Sequence, residues 1–132
     1  MTNAPAAAGL PIEAAARAAN EDPEFRIAAR FWDATLRFVI DDTSYALRIA
    51  SGEIVETAPC APDAPCDVSF SATTDVWSEL LAPVPRPFYQ DLFGAARYHG
   101  LRMEGDLGSF FPYYPAMRRF VDLMRAARGT AD

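Results

Sequence analysis

Apolar residues recur at every second position along two neighbouring stretches of the chain. The first covers residues 34–40 (A-T-L-R-F-V-I) and the second residues 45–49 (Y-A-L-R-I). A period of two over adjacent runs is typical of antiparallel strands with one buried face. The connecting turns would lie at residues 41–44 and at Ser51-Gly52, where glycine supplies the positive φ that a tight hairpin often requires.

Three further strands are predicted, over residues 53–57, 67–72 and 97–104. Gly100 would mark a bulge in the last of them. Residues 58–65 contain three prolines and are expected to form a loop, since these prolines could not donate hydrogen bonds in a central strand. The pattern therefore predicts a sheet of five strands.

Helices are predicted where the apolar period lengthens and a cap or a breaker marks the ends. Asp22 would cap a helix that starts at Pro23, a favourable first position, and Gly94 would end a later helix at its C-cap. In the last helix, Met117, Phe120, Val121 and Met124 recur at i, i+3, i+4 and i+7. The four predicted helices span residues 23–31, 74–82, 88–93 and 115–127.

The length of 132 residues favours one domain and is enough to bury a core without metal or disulfides. Residues 1–21 are rich in alanine, and we expect a flexible or partly helical N-terminal segment there. The domain itself would cover residues 22–128, and residues 129–132 would form a tail.

The net charge of −6 and the pI near 4.7 disfavour nucleic acid as a partner, because binding phosphates needs a basic face. They also disfavour electrostatic docking on an anionic membrane. No apolar run reaches transmembrane length, so stable membrane insertion is not expected. The N-terminus lacks the features of a secretory signal, and the sequence therefore predicts a cytoplasmic protein.

Catalytic and metal-binding residues are sparse. Cys60 and Cys66 are the only cysteines and His99 the only histidine, so we predict no metal site and no cofactor. The two thiols are expected to be reduced, although a disulfide would also fit the loop. His99 and the pair Glu104 and Asp106 could serve acid–base chemistry, but structural roles are favoured and no residue is assigned as catalytic.

Four motifs in a fixed order resemble the sterol carrier protein 2 family of lipid-carrier domains. They are S-G-E-I-V-E, C-D-V-S-F-S-A-T, T-D-V-W-S-E-L-L and L-R-M-E-G-D-L. The similarity covers about residues 32–124 and departs from the family pattern at residues 58–65 and 110–115. It implies an α+β fold in which a mostly antiparallel five-stranded sheet is covered on one face by helices.

The resemblance also implies a hydrophobic cavity between sheet and helices for a lipid-like molecule of the sterol, fatty-acyl or isoprenoid class. Aromatic, leucine and methionine side chains would line it, because ligand pockets are mostly apolar. The predicted ligand-binding residues are Leu36, Phe38, Trp77, Leu80, Leu81, Phe88, Leu92, Phe93, Met103, Phe110, Tyr113, Tyr114, Met117, Phe120 and Met124. Arg86 or Arg97 could neutralise a head group at the cavity mouth.

Two alternatives remain open at the level of sequence. The same side chains could fill the core completely, and the run over residues 110–114 would then bind a protein partner or a second copy of the chain. Alternatively, the domain could present an apolar substrate to a separate enzyme.

Overall fold

The alternating stretches form a five-stranded sheet in a computed structural model that describes residues 10–131. The strands follow the order β3-β2-β1-β4-β5, and neighbours are antiparallel except for the parallel pair β1 and β4. Their bounds are β1 Ala34–Ile40, β2 Thr43–Ala50, β3 Glu53–Pro59, β4 Val68–Ala72 and β5 Arg102–Gly105. The predicted mostly antiparallel sheet is confirmed, and its third strand reaches Pro59 because an edge strand tolerates proline.

Helices cover one face of this sheet, as the α+β prediction requires. The helices of the described residues are α1 Ile12–Glu21, α2 Pro23–Ala28, α3 Thr74–Leu80, α4 Leu92–Tyr98, α5 Leu107–Phe110 and α6 Tyr114–Ala131. A short 3-10 turn, Phe111–Tyr113, joins α5 to α6.

Register explains which strand residues face the helices. Leu36 lies opposite Leu47, and Phe38 lies between Tyr45 and Phe70 on the neighbouring strands. All five side chains are buried. This face of the sheet is therefore apolar across its three central strands and forms one wall of the core.

The first helix belongs to the same core as the rest of the chain. Ile12, Ala15 and Ala19 are fully buried. The Asn20 side chain donates to the carbonyl of Ile54 at 2.8 Å and accepts from its amide at 2.9 Å, which binds α1 to the edge strand β3. The predicted domain boundary at residue 22 stays a prediction, and residues 1–9 of the predicted N-terminal segment lie outside the described residues.

Asp22 caps α2 as predicted and also ties it to α6. Its carboxylate accepts from the amide of Phe25 at 2.8 Å and pairs with the guanidinium of Arg119 at 2.8 Å. Hydrogen bonding to Arg119 lowers the pKa of Asp22 below its usual 3.8, although partial burial opposes the shift. One carboxylate therefore fixes both the start of α2 and its contact with the long covering helix.

The segment between α3 and α4 departs most from the sequence prediction. The helix predicted over residues 88–93 is wrong, because Phe88 adopts a left-handed conformation with φ 68° and α4 begins only at Leu92. Gly94 lies inside α4 and is not its C-cap. A Cβ at Gly94 would lie 2.9 Å from the carbonyl oxygen of Phe88, so this glycine allows the two backbones to approach each other.

Other predicted boundaries shift by a few residues. The strand predicted over residues 97–104 covers only Arg102–Gly105, and Gly100 at φ 81° lies in the α4–β5 connection rather than in a bulge. The second helix ends at Ala28 instead of residue 31. The last helix continues to Ala131, through most of the predicted tail.

Candidate functional site

Five aromatic rings fill the space between the sheet and its helical cover, and we call them the aromatic core. Phe38 lies 5.5 Å from Phe70, 6.0 Å from Trp77 and 6.1 Å from Phe120, measured between ring centroids. Phe110 contacts Phe70 at 5.4 Å. All five side chains are at most 1% exposed. At these distances the rings are in mutual contact, so this part of the interior is packed with protein side chains.

Four further aromatic side chains face solvent, and we call them the aromatic surface. Phe88, Phe93, Tyr98 and Phe111 are between 41% and 55% exposed. Phe88 contacts Tyr98 with centroids 4.1 Å apart, and Phe93 contacts Phe111 at 5.6 Å. Each pair presents contiguous apolar surface to solvent, which marks binding surfaces more often than single exposed side chains do.

Tyr114 connects the aromatic surface to the aromatic core. Its ring lies 4.1 Å from Phe93 on the outside and 6.1 Å from Phe110 on the inside. The hydroxyl group accepts a long hydrogen bond from the Phe93 amide at 3.4 Å. Burial raises the pKa of Tyr114 to about 12. A continuous row of aromatic rings therefore runs from solvent to the centre of the fold.

The predicted ligand-binding residues fall into three groups. Met103, Tyr113 and Tyr114 are half-buried and pack against the core, and Phe88 and Phe93 are exposed. The other ten are buried: Leu36, Phe38, Trp77, Leu80, Leu81, Leu92, Phe110, Met117, Phe120 and Met124. Their role in ligand binding stays a prediction.

The predicted ligand-binding residues did not include three side chains that complete this region. Trp32 is buried and stacks on Tyr113 at 5.1 Å with ring planes 7° apart. Phe70 contacts both Phe38 and Phe110, and Tyr98 extends the aromatic surface. The alternation of β4 already pointed Phe70 inward, whereas Tyr98 gave no signal because residues 97–104 read as a strand.

A separate pocket of about 250 Å³ lies between the end of α3 and the end of α6. The Nε and Nη2 atoms of Arg125 donate to the Leu80 carbonyl at 3.2 and 2.6 Å. Arg128 donates to the carbonyl and the hydroxyl of Ser78, both at 3.3 Å. We call this the α3–α6 pocket; its lining residues are Ser78, Leu81, Ala82, Pro83, Arg125, Arg128 and Gly129.

A larger groove of about 510 Å³ lies between α2 and the β2–β3 turn. Charged side chains, including Glu21, Arg26, Arg30 and Glu53, contribute much of its lining. None of its lining residues belongs to the aromatic core. Because an apolar ligand prefers an apolar surface, its size does not make it the better lipid site.

The candidates for catalysis have structural partners in the described part of the chain. His99 follows α4, stacks on Tyr89 at 3.7 Å and lies 3.1 Å from the Pro87 carbonyl oxygen through Nε2. Glu104 pairs with Arg102 at 2.6 Å, and Asp106 caps α5 by accepting from the Ser109 amide at 3.2 Å. These contacts agree with the structural roles favoured from the sequence.

The structure also shows the surroundings of the two arginines suggested for head-group binding and of the two cysteines. Arg86 pairs with Glu79 at 3.0 Å, and Arg97 lies over the ring of Tyr98 at 5.6 Å. Cys60 and Cys66 are free thiols, and burial raises the pKa of Cys60. Within residues 10–131, no group of three or more His, Cys, Asp or Glu side chains is arranged to hold a metal ion.

No protein-family model and no curated protein matches the chain. Solved structures do. Sterol carrier protein 2 is 21% identical with a TM-score of 0.71, and the match covers 86% of this chain and 92% of that one. A conserved hypothetical protein of Thermus thermophilus, described as possibly a sterol carrier protein, is 21% identical with a TM-score of 0.70, covering 88% and 85% of the two chains.

A third structure, the ubiquinone synthesis protein UbiJ-SCP2, is 18% identical with a TM-score of 0.54, covering 83% of this chain and 87% of that one. These likenesses confirm that the chain has the sterol carrier protein 2-like fold. None of the helices in the described residues is both long and apolar enough to cross a bilayer.

Proposed function

We propose that this protein binds and carries a hydrophobic, lipid-like small molecule between its sheet and helices, without catalysing a reaction. The ligand would belong to the sterol, fatty-acyl or isoprenoid class. The observation that carries the proposal is the row of rings from Phe93 through Tyr114 and Phe110 to Phe38 and Phe70. Once these rings move apart, an apolar molecule would meet apolar side chains along the whole row.

The fold supports the same proposal. Two of the structurally similar proteins are described as a sterol carrier protein or possibly one. An apolar ligand would be held by removing its surface from water, which contributes roughly 25 cal/mol per Å² before the costs of ordering and desolvation. This driving force requires no charged or catalytic group at the binding site.

The aromatic core is filled by protein side chains, so binding requires some of its cover to move. Residues 81–91 are the best candidate, because they form turns and irregular structure between α3 and α4. Phe88 in this segment is held at φ 68°, a conformation that costs a residue with a side chain roughly 1–2 kcal/mol. Relaxation of this strain would offset part of the free energy needed to open the core.

A fluorescent fatty acid titrated into delipidated protein tests the proposal. We expect saturable binding with one ligand per chain, together with a change in the emission of Trp77, which lies in the aromatic core. A neutral sterol and an isoprenoid alcohol added as competitors would identify the preferred class. The proposal fails if none of these lipid classes binds.

A second candidate function is self-association or partner binding through the aromatic surface. The exposure of Phe88, Phe93, Tyr98 and Phe111 favours it, because removing these rings from water would stabilise an interface. Light scattering distinguishes the two functions. A ligand-binding monomer supports carriage, whereas a ligand-free dimer that dissociates on Phe93→Ser or Phe111→Ser supports an interaction module.

A further inference from the structure

The α3–α6 pocket combines cationic and apolar walls. Arg125 and Arg128 contribute charge, Ser78 contributes a hydroxyl, and Leu81 and Pro83 are among its apolar lining residues. Among the described residues that line it, none carries a carboxylate. The pocket is therefore a positively charged site in a chain whose net charge is −6.

The two arginines differ in how many of their donors are already used. Arg125 bonds the Leu80 carbonyl through two nitrogens, the Gln90 carbonyl at 3.3 Å and the Asp122 carboxylate at 3.0 Å. It therefore holds the end of α3, with a single long contact to the following segment, and its charge is compensated by Asp122. We assign Arg125 a structural role.

Within the part of the chain that the structure describes, Arg128 has N–H donors that are not used in hydrogen bonds. Its hydrogen bonds are two contacts with Ser78, each at the long distance of 3.3 Å. A guanidinium has five N–H donors, so these contacts leave Nε and further N–H groups unused by them. Among the described residues, no carboxylate forms an ion pair with Arg128.

Leu81 connects this polar site to the interior. It lines the pocket, yet it is 1% exposed and belongs to the same hydrophobic core as Trp77 and Phe38. A molecule seated at Arg128 would therefore place its next atoms against Leu81 and the core. The site suits a ligand that is charged at one end and apolar along the rest.

We infer that the α3–α6 pocket binds the anionic head group of an amphiphile, with Arg128 and Ser78 holding its carboxylate or phosphate. The inference rests on the proposed function and narrows it from lipid-like molecules in general to acidic ones. Arg128 is then the residue that selects acidic over neutral lipids. It replaces Arg86 and Arg97, which the sequence suggested for this role and which lie outside the pocket.

Dodecanoate and dodecanol are a matched pair of probes, because they share a tail and differ in head group. We expect the delipidated protein to bind dodecanoate about tenfold more tightly than dodecanol, since a hydrogen bond to a charged group contributes roughly that much. Arg128→Gln should weaken dodecanoate binding about tenfold and leave dodecanol binding unchanged. Ser78→Ala should have a smaller effect in the same direction.

Arg97→Gln is the control, because it removes an exposed arginine that does not line the pocket. It should leave the affinity for both probes unchanged, and thermal melts of all variants will show whether they fold. Equal affinity of the folded wild-type protein for the two probes, or an unaffected Arg128→Gln variant, overturns the inference but leaves lipid carriage intact.

The same titrations distinguish two further outcomes, a failure of lipid binding altogether and a site for free anions. If neither probe binds, both the proposed function and this inference fail. If acetate or inorganic phosphate binds as tightly as dodecanoate, the pocket is a site for free anions, and its assignment to amphiphiles is overturned. Weak binding of both small anions with tight dodecanoate binding supports the inference.

Discussion

The aromatic core and the aromatic surface contain similar side chains in opposite surroundings. The core rings come from β1, β4, α3, α5 and α6 and are at most 1% exposed. The surface rings come from α4, the segment before it and the 3-10 turn, and at least 41% of each is exposed. A ring removed from water contributes to stability, whereas an exposed ring contributes little until it contacts a ligand or partner. The two regions should therefore respond differently to the same type of substitution.

Truncation of a core ring should have the largest effect. Phe38 contacts three other rings of the aromatic core, so Phe38→Ala should lower the free energy of unfolding by about 3–5 kcal/mol. Urea denaturation measures the loss, and Phe38→Leu should lose less. A loss below about 1 kcal/mol for the alanine variant would show that the rings do not form a packed core.

Removing the ion pair that joins α2 to α6, without changing any aromatic ring, should have an intermediate effect on stability. Asp22→Asn retains capping capacity at α2 but loses the charge that pairs with Arg119, and we expect a loss of about 1–2 kcal/mol at neutral pH. Because the folded-state pKa of Asp22 is lowered, its contribution is present above the unfolded-state pKa and disappears as pH falls through the folded value.

The wild-type protein and the Asp22→Asn variant should therefore begin to converge in stability as pH falls below 3.8, the usual pKa of Asp22, and should be equally stable below its lowered folded-state pKa. Urea denaturation over a range of acidic pH values tests this. A difference in stability that stays constant into strong acid would assign the effect to something other than the ion pair.

Tyr114 tests the boundary between the two regions. Burial raises its pKa to about 12, so the phenol should remain protonated when exposed tyrosines have ionised near pH 10. The stability that this burial contributes is fully present below the unfolded-state pKa and is lost as pH rises toward the folded value. Absorbance titration should show a late-titrating tyrosine that is missing from Tyr114→Phe. Because burial also raises the pKa of Tyr45, the variant decides: an unchanged late-titrating fraction in Tyr114→Phe would place Tyr114 in solvent.

Truncation of a surface ring should have the smallest effect on stability. Phe93→Ser should change the free energy of unfolding by no more than about 0.5 kcal/mol, yet it removes the first ring of the proposed route. Stopped-flow fluorescence with a fatty acid should then show slower association. Unchanged association kinetics, with unchanged stability, would exclude Phe93 from the route of ligand access.

Residue periodicity predicted the regular parts of this fold and not the segment before α4. Leu36, Phe38 and Phe70 follow a strict period of two, so the sequence alone placed them on the buried face. Gly94, which lies inside α4, has two possible meanings in the sequence, a helix C-cap or a point of close backbone approach. Only tertiary contact with Phe88 decides between them.

The candidate site was likewise predictable where it follows local sequence patterns, and not where it depends on tertiary packing. Composition indicated that most aromatic residues are buried but not which ones, and two of the predicted ligand-binding residues, Phe88 and Phe93, are exposed. Whether they enclose a cavity depends on how side chains from distant elements fill space, which local patterns do not encode. The α3–α6 pocket depends on residues near 78 and 128 meeting in the fold, and their separation in sequence concealed it.

Native mass spectrometry of the purified protein tests the central proposal most directly. Lipid carriage predicts a second species, heavier than the bare chain by the mass of one apolar molecule, that disappears on denaturation and returns when the delipidated chain is incubated with the extracted lipid. The bare chain as the sole species, both as purified and after incubation with mixed sterols, fatty acids and isoprenoids, would contradict it.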